Sequence, residues 1–92
     1  MDILYETASE VPPSLQTLQN SKHVVGIKQL KRALRDGSAR QVFLAEDADP
    51  QLTGEVTNLC REHGVPYTWV ATMADLGIAC GISVGAAAAA AL

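Results

Sequence analysis

Four cations fall on one side of a helical repeat. In the stretch GIKQLKRALRD (residues 26–36), Lys28, Lys31, Arg32 and Arg35 occupy an arc about 100° wide, while Ile27, Leu30 and Leu34 at i, i+3, i+7 form a separate apolar stripe. One face packs, and the other presents ammonium and guanidinium groups. Their chemistry is charge-assisted hydrogen bonding to an anion, phosphate above all. Surface helices ordinarily intersperse acids at i+4 to form pairs, and this arc contains none, so its cations are expected to stand free for an external anion.

A second set with possible chemistry is Glu46, Asp47 and Asp49, directly after an apolar stretch. Metal or phosphoryl chemistry often sits at that position in α/β proteins, and a Mg²⁺ ion held there would support phosphotransfer. No Gly-rich phosphate loop accompanies these carboxylates, and capping of a following helix explains acids at its start. The structural role is preferred, with a small metal-binding or phosphoryl-transfer module as the alternative. Cys60 and Cys80 are single, in no C-x-x-C pair and with no neighbouring base, so both are read as buried small hydrophobes. His23 and His63 lack the spacing of metal ligands and are assigned surface or capping roles. No cofactor and no catalytic group is expected.

Glycines recur every four residues at 77, 81 and 85. They are read as ending a helix and forming a flexible turn, GISVG, that carries Ile82, Ser83 and Val84. The two apolar side chains either tuck back onto the core or form an apolar lip beside the basic helix. The residues alone leave both open.

The elements that must position these groups can be placed from local signals. Pro12 and Pro13 can open a short helix running to Asn20, Val24 and Val25 form a brief strand, and the basic helix stops at Gly37. Residues 41–46 (QVFLAE) read as a central buried strand. Asp49-Pro50 opens a helix that His63-Gly64 closes, and residues 65–70 (VPYTWV) read as another strand. Thr72 and Asp75 resemble a capping box for a helix reaching Gly81. For residues 85–92 alanine propensity favours helix, yet a strand covered on both faces also needs small apolar side chains, and strand is preferred. The alternating order predicts an α/β fold, a three-layer α/β/α sandwich with a central mixed four-stranded sheet. An irregular arm is expected at residues 1–11 and a single domain at 12–92.

At 92 residues the chain holds one domain and only a modest core. Aromatics make up 4% of it, too few for a surface of stacked rings. The longest apolar run, residues 81–92, falls well short of the roughly 20 residues that span a bilayer. No signal-peptide layout opens the chain, so a soluble, cytoplasmic protein without a membrane partner is expected. The net charge of −3 conceals an uneven distribution. Residues 22–40 set Lys22, Lys28, Lys31, Arg32, Arg35 and Arg40 against Asp36 alone, whereas residues 41–92 oppose six acids with Arg61. Cationic character is confined to one fifth of the chain.

Taken in order, the blocks GIKQLKRALRDG (26–37), VFLAEDADP (42–50), CREHGVPY (60–67) and LGIACGISVG (76–85) resemble the L-seven-Ae / L-thirty-e ribosomal protein family, and most closely its small bacterial members. The resemblance runs from about residue 14 to residue 92. It implies an α/β/α sandwich ending on a strand, and binding of kink-turn RNA, a helix–bulge–helix whose bend is organised by tandem sheared G·A pairs. It also implies that the helix starting at Gly26 presents its N-terminus to the RNA groove. Family members commonly read G-x-N-E-x-x-K there. Lys28, Gln29 and Arg32 stand at the Asn, Glu and Lys positions, in the pattern of the bacterial members.

On this resemblance the expected RNA-binding residues are Gly26, Ile27, Lys28, Gln29, Lys31, Arg32 and Arg35, with Ile82, Ser83 and Val84 of the segment that covers the bulge nucleotides. The expected partner is kink-turn RNA within ribosomal RNA, a riboswitch or another structured transcript, with the ribosome itself a candidate and the protein a monomer. An adaptor whose basic face meets an acidic protein is a further alternative.

Overall fold

The computed structural model describes residues 13–92. The expected arm at 1–11 and the helix-opening role of Pro12 lie outside the described residues. Helix α1 (Pro13–Asn20) starts on a proline, whose missing N–H costs nothing in a first turn, and buries Leu15 and Leu18. Strand β1 (His23–Val25) leads through Gly26 into α2 (Ile27–Asp36), which ends on a left-handed Gly37. Strand β2 (Gln41–Ala45) is followed by α3 (Pro50–His63), capped by Asp49 and closed by Gly64. Strand β3 (Tyr67–Val70), helix α4 (Met73–Cys80) and strand β4 (Ala88–Ala91) complete the chain. Thr72 caps α4 as expected, its hydroxyl accepting the Asp75 N–H at 3.0 Å.

The sheet order is β1-β4-β2-β3, with β2 and β3 parallel and β4 antiparallel to both its neighbours. Side chains alternate between faces along each strand, so two separate cores form. Phe43, Ala45, Ala89 and Ala91 meet Leu15, Leu18, Leu76 and Ala79 on one side. Val42, Leu44, Ala88 and Ala90 meet Leu30, Leu34, Val56 and Cys60 on the other. Helices α1 and α4 therefore cover one face, and α2 and α3 the opposite one. The fold is the expected three-layer α/β/α sandwich on a mixed four-stranded sheet.

Strand β4 shows why tertiary position overrides propensity. Its four alanines are buried, paired on both edges and covered on both faces, a place that admits only small apolar side chains. Replacing Ala90 by Leu is expected to cost about 1–3 kcal/mol through overpacking between Val24, Val42 and the α2–α3 layer, read as a lower urea midpoint. An unchanged midpoint would mean the layer can open at no cost.

Two expectations need correction. Strand β3 begins at Tyr67 rather than at residue 65, because the Val65 N–H is spent on the Cys60 carbonyl at 2.9 Å and Pro66 has no N–H. Gly77 does not end α4 but lies inside it, where an added Cβ would collide with the Val84 carbonyl. His23 takes the capping alternative: its ring is half-buried, with Nδ1 2.9 Å from the Ser21 carbonyl and Nε2 3.0 Å from the carbonyl of Cys80, the last residue of α4.

Candidate nucleic-acid interface

Strands β1, β2 and β3 all finish at the end of the sheet where β4 begins. Helices α2, α3 and α4 follow directly from those strands, so all three N-termini collect there. Two of the three are neutralised. Asp49 accepts the Gln51 N–H at 2.9 Å on α3, while α4 has the Thr72 cap, Asp75 in its first turn, and the Met73 N–H donating to Asp47 Oδ1 at 2.8 Å. Helix α2 differs. Its cap is Gly26, no side chain caps it, and no acid lies in its first turn. The amides of the first turn have no intrahelical acceptor, and the positive end of the macrodipole is uncompensated.

Gly26 makes this entry possible. With φ 98 and ψ 153 it occupies a region nearly closed to any residue with a Cβ, and that conformation turns the chain from β1 straight into α2. Its N–H donates to the Ala88 carbonyl at 3.0 Å, which pins the start of α2 to the start of β4. At most about 11 Å of chain separate Ala88 from Gly85, so the 81–85 segment ends, at Gly85, near that end of the molecule.

That segment runs back along α4. The Ile82 N–H donates to the Gly77 carbonyl at 3.1 Å and the Ala86 N–H to the Met73 carbonyl at 3.0 Å, with Val84 pressed on Gly77 between them. Because backbone touches backbone there, the side chains turn outward. Ile82 is 36% and Val84 68% exposed, and Ser83 is exposed between them. The apolar pair does not tuck onto the core; it forms the lip.

Lys28, Gln29, Arg32 and Arg35 are exposed on α2, and Ile27 is half-buried against the core beneath. The expectation that every cation stands free holds only in part. Lys31 Nζ is 2.7 Å from Glu55 Oε1 on α3, and Arg32 Nε lies 3.9 Å from Asp36 Oδ2, a long contact on a side chain 78% exposed. Glu55 is 24 residues from Lys31, beyond any local pattern that would have paired them.

Of the acidic set, Asp47 and Asp49 are engaged as helix caps and Glu46 is exposed. Among the described residues no group of three or more His, Cys, Asp and Glu side chains is placed to hold a metal ion. Burial pushes the thiols of Cys60 and Cys80 above the usual range, the opposite of what a nucleophile needs. Among the described residues no helix is long and apolar enough to cross a membrane.

The α/β/α sandwich thus carries an uncapped helix N-terminus, at α2, and two exposed apolar side chains, Ile82 and Val84, on the segment that leads into β4. Residues 10–92 match the model of the Ribosomal protein L7Ae/L30e/S12e/Gadd45 family. An RNA-binding protein of Geobacillus sp. (strain WCH70) is 51% identical over 73 residues, covering 79% of this chain and 89% of its own. The RNA-binding protein YbxF of Geobacillus stearothermophilus is 49% identical over 77 residues, 84% of this chain and 94% of its own. Among solved structures, the Giardia lamblia 15.5kD RNA binding protein superposes with a TM-score of 0.80 at 26% identity, over 94% of this chain and 73% of that one. The chain belongs to the L7Ae/L30e/S12e/Gadd45 family and is a non-catalytic protein.

Proposed function

We propose that this protein is an RNA-binding protein that captures the bent state of kink-turn RNA through the N-terminus of α2 and the 81–85 segment. The observation that carries the reading is the Gly26 N–H to Ala88 carbonyl bond, which joins the open helix end to the strand that follows the apolar lip. Relatives at about half identity that are themselves RNA-binding proteins support it.

Each residue has a role that its chemistry suits. Gln29 offers a donor and an acceptor to base edges, and Lys28 and Arg32 supply charge-assisted donors to guanine O6 and N7 or to phosphate in the G·A region. Gly26 and Ile27 bring the backbone of the first turn to phosphate. Arg35 meets phosphate directly, and Lys31, held by Glu55 at 2.7 Å, contributes less to this RNA. Ile82 and Val84 pack on extruded bases, with Ser83 donating or accepting between them. Binding favours the bent conformer because only that conformer touches α2 and the lip together.

The RNA is one that contains such a bend: ribosomal RNA, a riboswitch or another structured transcript. The protein acts in the cytoplasm as a monomer. The test is a titration against a kink-turn RNA and the same RNA with its tandem G·A pairs replaced by Watson–Crick pairs, at about 0.15 M salt. A preference of about tenfold or more, roughly 1.4 kcal/mol, is expected. Equal binding to both RNAs would sink the proposal.

A further inference from the structure

The basic face of α2 is bounded on one side by carboxylates. A groove of about 290 Å³ between α2 and α3 is lined by Lys31 and Arg35 on one wall and by Glu55, Asn58, Leu59 and Glu62 on the other. Glu55 and Glu62 are two turns apart on one face of α3, about 10 Å along its axis, and no cation lies among the four α3 residues of that wall. Lys31 is drawn across the groove to Glu55 at 2.7 Å, although an exposed pair of this kind adds little to stability. Helices α2 and α3 both start at the same end of the sheet, so the wall runs from the middle of α2 towards its C-terminus. The first turn of α2, with Lys28 and Gln29, lies outside it.

Resting on the kink-turn reading above, we infer that Glu55 and Glu62 determine specificity by penalising RNA that extends over the α3-facing side of the basic face, along the groove from Lys31 towards Glu62. Glu55 withholds Lys31 from passing phosphates, and both carboxylates repel a backbone that would lie along the whole basic face. Plain duplex RNA needs that long contact, because it has neither open G·A edges for Gln29 nor extruded bases for the lip. A kinked RNA docks at the helix end and pays less of the repulsion. The wall thus lowers affinity for the wrong RNA more than for the right one.

The test uses the full chain carrying Glu55→Gln and Glu62→Gln, both exposed positions, beside the unsubstituted protein. Each is titrated with a kink-turn RNA and with a fully paired duplex of equal length. The variant is expected to bind the duplex about three- to tenfold more tightly, with the slope of log affinity against log salt steeper by about one for the released Lys31. Its affinity for kink-turn RNA should rise less than about twofold, so discrimination falls. An unchanged duplex affinity, or an equal rise for both RNAs, would overturn the inference. The unsubstituted protein on the two RNAs tests the kink-turn reading separately, and the duplex affinities of the two proteins test the wall whichever way that comparison falls.

Discussion

Replacing Lys28 and Arg32 together by alanine should weaken binding of kink-turn RNA at least about thirtyfold at 0.15 M salt. On the proposed kink-turn reading each side chain makes charge-assisted contacts worth roughly 1–3 kcal/mol, and two such losses at the low end already reach about 2 kcal/mol. The effect should fall on binding alone. Both residues are exposed on α2, neither belongs to the apolar stripe of Leu30 and Leu34, and Arg32 makes only the long contact to Asp36. Melting temperature should therefore move by little, and the salt slope should drop by up to about two. Affinity within a factor of two of the unsubstituted protein would show that the G·A contacts lie elsewhere.

The second large effect is expected from a single methyl group. In Gly77→Ala the new Cβ would overlap the Val84 carbonyl and sit 3.2 Å from the Gly85 Cα. Both neighbours are backbone, so neither a rotamer change nor a flexible side chain relieves the clash, and the 82–85 segment must lift from α4. A stability loss of about 1–3 kcal/mol should follow, measured by denaturant unfolding. Kink-turn affinity should drop about tenfold as Ile82 and Val84 leave their position relative to α2. The same chemical change at Gly54 provides the contrast. Gly54 lies in α3 with nothing within 4 Å of an added Cβ, so Gly54→Ala should stabilise the protein by roughly 0.5–1 kcal/mol and leave RNA binding alone. If both alanines behaved alike, the packing of the lip on α4 would not be what Gly77 serves.

These two predictions divide along the line between what was legible and what was not. The cations of α2 could be found by spacing, because a helix face is a property of residues three and four apart. The role of Gly77 could not. Its glycine spacing with 81 and 85 was visible, but spacing cannot distinguish a helix terminus from a close backbone approach. The outward turn of Ile82 and Val84 likewise depended on which surface the segment lay against.

By itself the sequence determined the ends of helices α2, α3 and α4. Asp49 before Pro50, Thr72 ahead of Asp75, and glycines at 37, 64 and 81 act on amides and carbonyls within a few residues, so the information is local and survives without the rest of the fold. The tertiary structure alone decided the order of the strands, with β4 inserted between β1 and β2, and hence the bond from Gly26 to Ala88. It alone brought Glu55 to Lys31 and the ring of His23 to the Cys80 carbonyl. Those contacts join residues tens of positions apart, and what selects them is the simultaneous burial of both faces of one sheet, which no window of neighbouring residues contains.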